Sequence, residues 1–242
     1  MPTCYTKSMK ILIIGATHGN ELLGTKLYAR LLQKRSSLLE HVDFMIGNPK
    51  AFALKKRYID EDLNRSYGSQ GDSHEATRTA EIQRYVEFMK PDLIIDMHTT
   101  TCDQPNCLIT NNLDGDAKQR FLRACHIDNV LQIQPLGDVT TLGENVIAYE
   151  VPNRSITPKL LDAIIGDLER FVEADRSYAH KKLFIMSDKI YKKDVTPEVA
   201  ATFVNFQPNL IGFVPIMTGN NSYKRQTDYL GFKSDEVKDI VI

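Results

Sequence analysis

Lys10-Ile-Leu-Ile-Ile-Gly15, followed at once by Ala16-Thr-His-Gly-Asn-Glu21, decides how this chain is read. The first six residues form a short apolar run, rich in β-branched side chains and closed by glycine. Such a run predicts a strand buried on both faces. Leu22, Leu23, Leu27, Leu31 and Leu32 then recur at helical spacing up to about Gln33. Residues 16–21 are therefore expected on a loop that runs from a strand into a helix. A His on such a turn and a Glu three residues later can converge on one point.

The same texture continues outward. Val42 to Gly47 predicts a second strand, ended by Asn48-Pro49. Residues 55–72 are polar and without period, an irregular loop whose length favours a functional role. Ser73 to Lys90 reads as a helix with Ser73 as its N-cap and Pro91 as its stop. Strands are expected at Asp92 to His98, Asn106 to Thr110, Val130 to Gln134 and Asn145 to Val151, with a helix over Asp116 to Cys125. Thr157-Pro158 opens a long amphipathic helix with Leu160, Leu161, Ile164, Ile165, Leu168 and Phe171 on its apolar face. Alternating strands and helices up to about Ser177 predict an α/β fold: a mixed or mostly parallel sheet with helices on both faces. Beyond it, strand-like pieces at Leu183 to Met186, Ala201 to Phe206 and Leu210 to Ile216 are separated by Pro- and Asn-rich turns. They predict a catalytic α/β domain over residues 1–180 and a small β-rich C-terminal subdomain over 181–242.

Composition narrows the function classes. The 242 residues are 42% hydrophobic and 25% charged, with a formal net charge of -1. These are globular values, and no basic stripe suggests nucleic acid. No apolar run is long enough to span a bilayer, and Ile11 to Ala16 is too short for a signal-peptide core. The expected setting is the cytoplasm. Cys4, Cys102, Cys107 and Cys125 lack structural-zinc spacing and read as reduced thiols.

Two histidines stand out by position. His18 follows the first buried strand and His98 ends the strand Asp92-Leu-Ile-Ile-Asp-Met-His98. Ligands of α/β sheets gather outside the carboxyl ends of the strands. His18, Glu21 and His98 make two imidazoles and one carboxylate, with a position left for water, which is a catalytic zinc set. His41, His74, His126 and His180 show no such partner pattern. The loop Arg57-Tyr-Ile-Asp-Glu-Asp-Leu-Asn-Arg65 is the second cluster. Asn64 beside Arg65 suits a carboxylate clamp, Arg57 could polarise a carbonyl, and Asp62 could hold the far nitrogen of a zinc-bound His. Glu150 sits inside the apolar run Val146-Ile-Ala-Tyr-Glu-Val151, where an ionisable side chain is unusual unless paired or functional.

Ala16-Thr-His-Gly-Asn-Glu21, Arg57-Tyr-Ile-Asp60, Asp62-Leu-Asn-Arg65, Asp96-Met-His98 and Tyr149-Glu-Val151 occur in the order and spacing of one known family. The chain resembles the aspartoacylase and succinylglutamate desuccinylase family over roughly residues 9–175. The resemblance implies a zinc-carboxypeptidase-like mixed sheet flanked by helices and one zinc ion per chain on His18, Glu21 and His98. It implies Asn64 and Arg65 on the substrate α-carboxylate and Arg57 on the scissile carbonyl oxygen. It also implies Asp62 as the partner of His18 and Glu150 as the catalytic carboxylate. Pro215 to Tyr223 resembles a tail segment that places a Tyr, here Tyr223, near substrate. The expected reaction is hydrolysis of a small N-acyl amino acid, nearest to N-acetyl-L-aspartate giving acetate and aspartate.

The sequence also departs from that pattern. Aspartoacylases carry a second Arg about ten residues before the catalytic Glu, where Thr140 stands here, and no Lys or Arg occurs from Ala124 to Asn153. Arg154, Lys224 and Arg225 are the candidate replacement cations; otherwise the substrate is not aspartate-like. Pro152 replaces a usual Gly, and Thr99 stands where mammalian aspartoacylases have Asn. The short C-terminal part predicts a more open site. A deacylase of another N-acyl amino acid, such as a succinylated one, is the alternative within the enzyme class. A metal-free binding protein on the same fold is the rival outside it. Metal content separates the last two readings, and oligomeric state is left open.

Overall fold

The computed structural model describes residues 9–134 and 137–242. Its first elements are β1 (Ile11–Gly15), α1 (Leu23–Lys34), β2 (Val42–Ile46), α2 (Pro49–Ala53), α3 (His74–Met89) and β3 (Leu93–Thr100). β4 (Cys107–Thr110), α4 (Asp116–Ala124), β5 (Asn129–Gln132), β6 (Val146–Pro152) and α5 (Pro158–Glu173) follow. The chain then forms β7 (His180–Tyr191), α6 (Pro197–Ala200), β8 (Val214–Ile216), α7 (Asn221–Gln226) and β9 (Tyr229–Val241).

Among the described residues nine strands join one mixed sheet in the order β2-β1-β3-β6-β4-β5-β7-β9-β8. β2, β1, β3 and β6 run parallel, and β4 turns antiparallel against β6. The expected mixed α/β sheet is therefore present. The 180/181 division falls at the start of β7, which pairs with β5 on one side and β9 on the other.

Side-chain alternation along the strands sorts two faces. On one face Ile11, Ile13, Ile95, Met97, Leu108, Tyr149 and Val151 pack with α1, α4 and α5 into the largest core. Leu27 and Leu31 of α1 and Ile164 and Phe171 of α5 are wholly buried there. On the other face Leu12, Ile14, Ile94 and Val146 pack with Leu63 and Tyr67 of the preceding loop and with Ile82 of α3. Farther along that face Leu131, Phe184, Val214, Ile216 and Phe232 form a third cluster. Gly15 and Gly24 bring α1 close against β1: a Cβ on Gly24 would meet Gly15 Cα at 2.6 Å.

Helix ends follow local chemistry. Ser73 accepts from Ala76 N to cap α3, and Thr157 accepts from Leu160 N to cap α5 with Pro158 in its first turn. Two expectations are corrected. Residues 201–206 are not a strand; Pro197 opens α6, Thr196 caps it, and turns follow. Leu210 to Gly212 form a turn held by Asn209 Oδ1, which accepts from Ile211 N and Phe213 N, so β8 begins only at Val214. Cys102, Cys107 and Cys125 are buried free thiols, while Cys4 lies outside the described residues. Among the described residues, no helix is long and apolar enough to cross a membrane.

Candidate metal centre and active-site cavity

Register places the chemistry. Ile14 pairs with Asp96, Asp96 with Ala148, and His98 with Glu150 across β1, β3 and β6. Ladder partners share a face, so Asp96, His98 and Glu150 all project opposite to the Met97 and Tyr149 side chains in the main core. A slip of one residue would bury all three carboxylate and imidazole groups in that core.

His18 arrives from the end of β1. Ala16 takes a left-handed conformation (φ 53) with its side chain wholly buried. Such strain in a non-glycine residue costs of order 1 kcal/mol and clusters at functional sites. Glu21 N donates to His18 O at 2.9 Å, and Gly19 N donates to Arg57 O at 3.0 Å. A Cβ on Gly19 would lie 2.2 Å from the Ala51 carbonyl carbon. The turn is thus fastened to α2 below and to the Arg57 loop beside it.

His18 Nδ1 lies 2.8 Å from Glu21 Oε1, and His98 Nδ1 lies 3.1 Å from Glu21 Oε2. Ligand atoms of His18, Glu21 and His98 all lie within 4.8 Å of one another, and the three residues are buried. Each imidazole is oriented through its other nitrogen. His18 Nε2 is 2.9 Å from Asp62 Oδ1, and His98 Nε2 is 2.7 Å from Asp96 Oδ2. Asp96 is fixed in turn by Thr17 Oγ1, which donates at 2.6 Å. Carboxylates behind ligating imidazoles are the usual way such ligands are aimed. The donor set fits a divalent zinc ion.

Asp62 also accepts from Arg57 Nη2 at 3.0 Å, and Arg57 Nη1 reaches Glu21 Oε1 at 3.4 Å. Asn64 Oδ1 accepts from Val139 N at 3.0 Å, leaving its amide nitrogen 3.5 Å from His98 Nε2. Arg65 is exposed at the rim, donating to Asn64 O. Burial opposes the charged forms of Glu21 and Asp62. The imidazoles, with Arg57 at Asp62, outweigh it and hold both carboxyls below the usual range. Burial, partly offset by His98, pushes the Glu150 carboxyl up to about 8, and Glu21 adds to the rise. Glu150 is 8% exposed and its Oε1 has no hydrogen-bond partner in the protein.

His18, Glu21, His98 and Glu150, with Arg57, Asn64 and Arg65, line a cavity of about 110 Å³. Its other walls include Ile109, Leu131, Ile133, Met186, Met217 and Phe232, with Thr140 and Tyr223. Tyr223 packs against Tyr229 and Phe232 at centroid distances of 5.0 and 5.7 Å. The C-terminal segment, though short, still supplies a wall of the cavity through Met217, Tyr223 and Phe232. Arg154 is exposed and pairs with Asp103, and neither it nor Lys224 lines the cavity. The Arg225 side chain lies outside the described residues.

Sequence reasoning quoted Asp96 but gave it no role. Its signal was available: two residues before His98 on a strand is the same face. The apolar cavity wall was missed because Ile109, Leu131 and Phe232 come from strands whose pairing is non-local. Cys125, His126 and Asp167 form a second tight group among the described residues. There Asp167 already accepts from His126 N, Tyr149 Oη and Arg170, which marks a satisfied structural hub.

Two buried imidazoles and a carboxylate at the carboxyl ends of β1 and β3, beside a buried Glu on β6 with one unpartnered oxygen, define a candidate metal-hydrolase centre on an α/β sheet. The chain belongs to the succinylglutamate desuccinylase/aspartoacylase family, whose catalytic-domain pattern matches residues 7–152. It is 34% identical over 136 residues to the N-acyl-aromatic-L-amino acid amidohydrolase (carboxylate-forming) of Xenopus tropicalis, covering 51% of this chain and 42% of that protein. It is 34% identical over 121 residues to a Nostoc protein named probable aspartoacylase, covering 45% and 41%. The chain thus spans about four-tenths of the length of these relatives in the matched region. Murine aminoacylase 3 shares the fold, with a TM-score of 0.72 at 20% identity over 97% of both chains. Succinylglutamate desuccinylase from Chromobacterium violaceum gives 0.72 at 17% identity, covering 98% of this chain and 86% of that one.

Proposed function

We propose that this protein hydrolyses the amide bond of a small N-acyl amino acid, using one zinc ion held by His18, Glu21 and His98. The observation that carries the reading is the buried Glu150 carboxyl, its Oε1 without a hydrogen-bond partner, beside His98 on the neighbouring strand. Zinc bound there supplies Lewis acidity and lowers the pKa of water to about 7. In its ionised form Glu150 takes the proton of the attacking water, and it delivers that proton to the amide nitrogen as the C–N bond breaks. Arg57 donates to the carbonyl oxygen as negative charge develops on it. Asn64 Nδ2 and the Arg65 guanidinium hold the substrate carboxylate at the rim.

The cavity chemistry favours an N-acyl amino acid with an apolar side chain. Arg57 and Arg65 are the Lys or Arg residues that line it among the described side chains, and both come from the loop that carries Asp62 and Asn64. A second carboxylate placed against Ile109, Leu131 and Phe232 would be desolvated without a partner, a cost of several kcal/mol. The likeness to an N-acyl-aromatic-L-amino acid amidohydrolase supports the same reading. N-acetyl-L-aspartate is the second reading, favoured by the likeness to the Nostoc protein.

A hydrolysis panel with zinc-loaded protein tests both. N-acetyl-phenylalanine or N-acetyl-leucine should exceed N-acetylaspartate and N-succinylglutamate at least tenfold in kcat/KM. Equal or faster aspartate hydrolysis removes the apolar assignment. No hydrolysis of any member, with no zinc uptake, favours the binding-protein reading.

A further inference from the structure

The loop that carries Arg57 and Asp62 is wrapped around a carboxylate that belongs to neither the metal set nor the cavity. Glu75, in the first turn of α3, is wholly buried. Its Oε1 accepts from Ile59 N at 2.7 Å and Asn48 Nδ2 at 2.8 Å. Its Oε2 accepts from Asp60 N at 3.0 Å and Glu61 N at 3.3 Å. Three successive amides therefore converge on one anion, as in the concave backbone nests that bind phosphate or carboxylate ligands. Here the ligand is a side chain of the same protein. Those three amides and the Asn48 side chain hold the Glu75 carboxyl below the usual range against the effect of burial.

The contacts around it run in one direction, toward the site. Asp60 Oδ2 accepts from His74 N at 2.9 Å, and Ser73 Oγ donates to Glu61 Oε1, so the loop is strapped to the start of α3 by three carboxylates. Asn48, held by Glu75, accepts from Ala51 N at 3.1 Å and so caps α2, the element that supports Gly19. Asn48 N also donates to Ala16 O at 3.0 Å. One carboxylate therefore ties the Arg57–Asp62 segment to the backbone on either side of His18.

We infer that Glu75 is a positioning residue for the proposed amidohydrolase: it sets the conformation of residues 59–61 and, through them, the placement of Arg57 against the reacting carbonyl and of Asp62 against His18. The inference rests on the proposed reaction for its catalytic consequence but not for its structural one. In Glu75→Gln an amide NH2 must replace one acceptor oxygen and face backbone N–H groups, so the nest cannot close. Glu75→Asp keeps the charge but withdraws it by one methylene.

Amide hydrogen exchange and kinetics test it together. In zinc-loaded wild type, the amides of Ile59, Asp60 and Glu61 should exchange slowly despite lying in an irregular loop. In Glu75→Gln they should exchange at least a hundredfold faster, with β1 and β3 amides unchanged and zinc still bound one per chain. On the best substrate of the panel, kcat should fall at least tenfold, with partial recovery in Glu75→Asp. Ile82→Val, a core change elsewhere in α3, serves as the control for general loosening and should leave kcat within twofold. Unchanged exchange at 59–61 in Glu75→Gln would overturn the structural inference whatever the enzyme's substrate. Fast exchange with unaltered kcat, in a protein that hydrolyses the panel, would overturn the positioning role. Failure of wild type on the panel while the exchange result holds would count against the proposed reaction and not against the nest.

Discussion

His98 and Glu150 face each other as direct partners on β3 and β6. That pairing sets the third proposed ligand and the proposed proton carrier side by side on one surface of the sheet, each in a strand whose preceding residue, Met97 or Tyr149, points into the main core. The spacing of the proposed ligand and the proposed base is thereby set by sheet register.

Glu150→Gln keeps the shape and removes the proton acceptor. Zinc content should stay at one per chain and kcat should fall at least a hundredfold, in line with the usual contribution of a positioned acid–base group. Near-normal turnover with zinc bound would show that another group carries the proton.

Asp96→Asn addresses the aim of His98. Its Oδ2 contact at 2.7 Å fixes which nitrogen faces Glu21. Loss of such a partner typically weakens metal affinity 10- to 100-fold. Competition with a chromogenic chelator measures the change. An unaltered zinc affinity would mean that Asp96 merely fills space.

Thr140 offers a test of selectivity. It is 5% exposed, lines the cavity and donates to Asp138. Thr140→Arg should raise kcat/KM for N-acetylaspartate relative to N-acetyl-leucine by at least tenfold. If wild type already prefers the dicarboxylate and the substitution changes nothing, the apolar wall does not choose the substrate.

Asp167 concerns stability on the opposite face. It is wholly buried, and it accepts from His126 N at 2.9 Å, from Tyr149 Oη at 2.5 Å and from Arg170. Burial raises its pKa, but the His126 side chain, with Tyr149 Oη and the His126 amide, outweighs burial and the carboxyl sits below its ordinary value. A depressed folded value means the ionised form stabilises the fold. The contribution is complete above the unfolded value of about 3.9 and is lost as pH falls through the folded value. Asp167→Ala should cost about 3 kcal/mol or more near pH 7, because it leaves buried donors unpaired. In urea titrations the gap to wild type should narrow below about pH 4; a gap constant down to pH 2 would contradict the assignment.

Much of this arrangement is legible in the chain because it is local. Lys10 to Gly15 announces a buried strand through its β-branched run, and Ser73, Thr157 and Pro158 announce helix starts through capping chemistry. His18 and His98 stand out because each follows such a run. β9 is different: Tyr229 to Val241 includes Lys-Ser-Asp-Glu-Val-Lys-Asp, and it is held as a strand by its long ladder with β7. No local pattern encodes that pairing. The same holds for the cavity wall, where Ile109, Leu131 and Phe232 come from three strands. Glu75 escaped because an acidic residue in a first helical turn is ordinary on the surface, and only the returning loop buries it. Residues 201–206 misled because aromatic and β-branched content, Phe203, Val204 and Phe206, suits turns packed on a sheet as well as strands.

Anomalous diffraction at the zinc edge, from crystals of zinc-loaded protein, tests the central claim most directly. The account predicts one strong peak per chain, about 2 Å from His18 Nδ1, from a Glu21 oxygen and from His98 Nδ1. A peak at Cys125, His126 and Asp167 instead, or none at the carboxyl ends of β1 and β3 under saturating zinc, would contradict it.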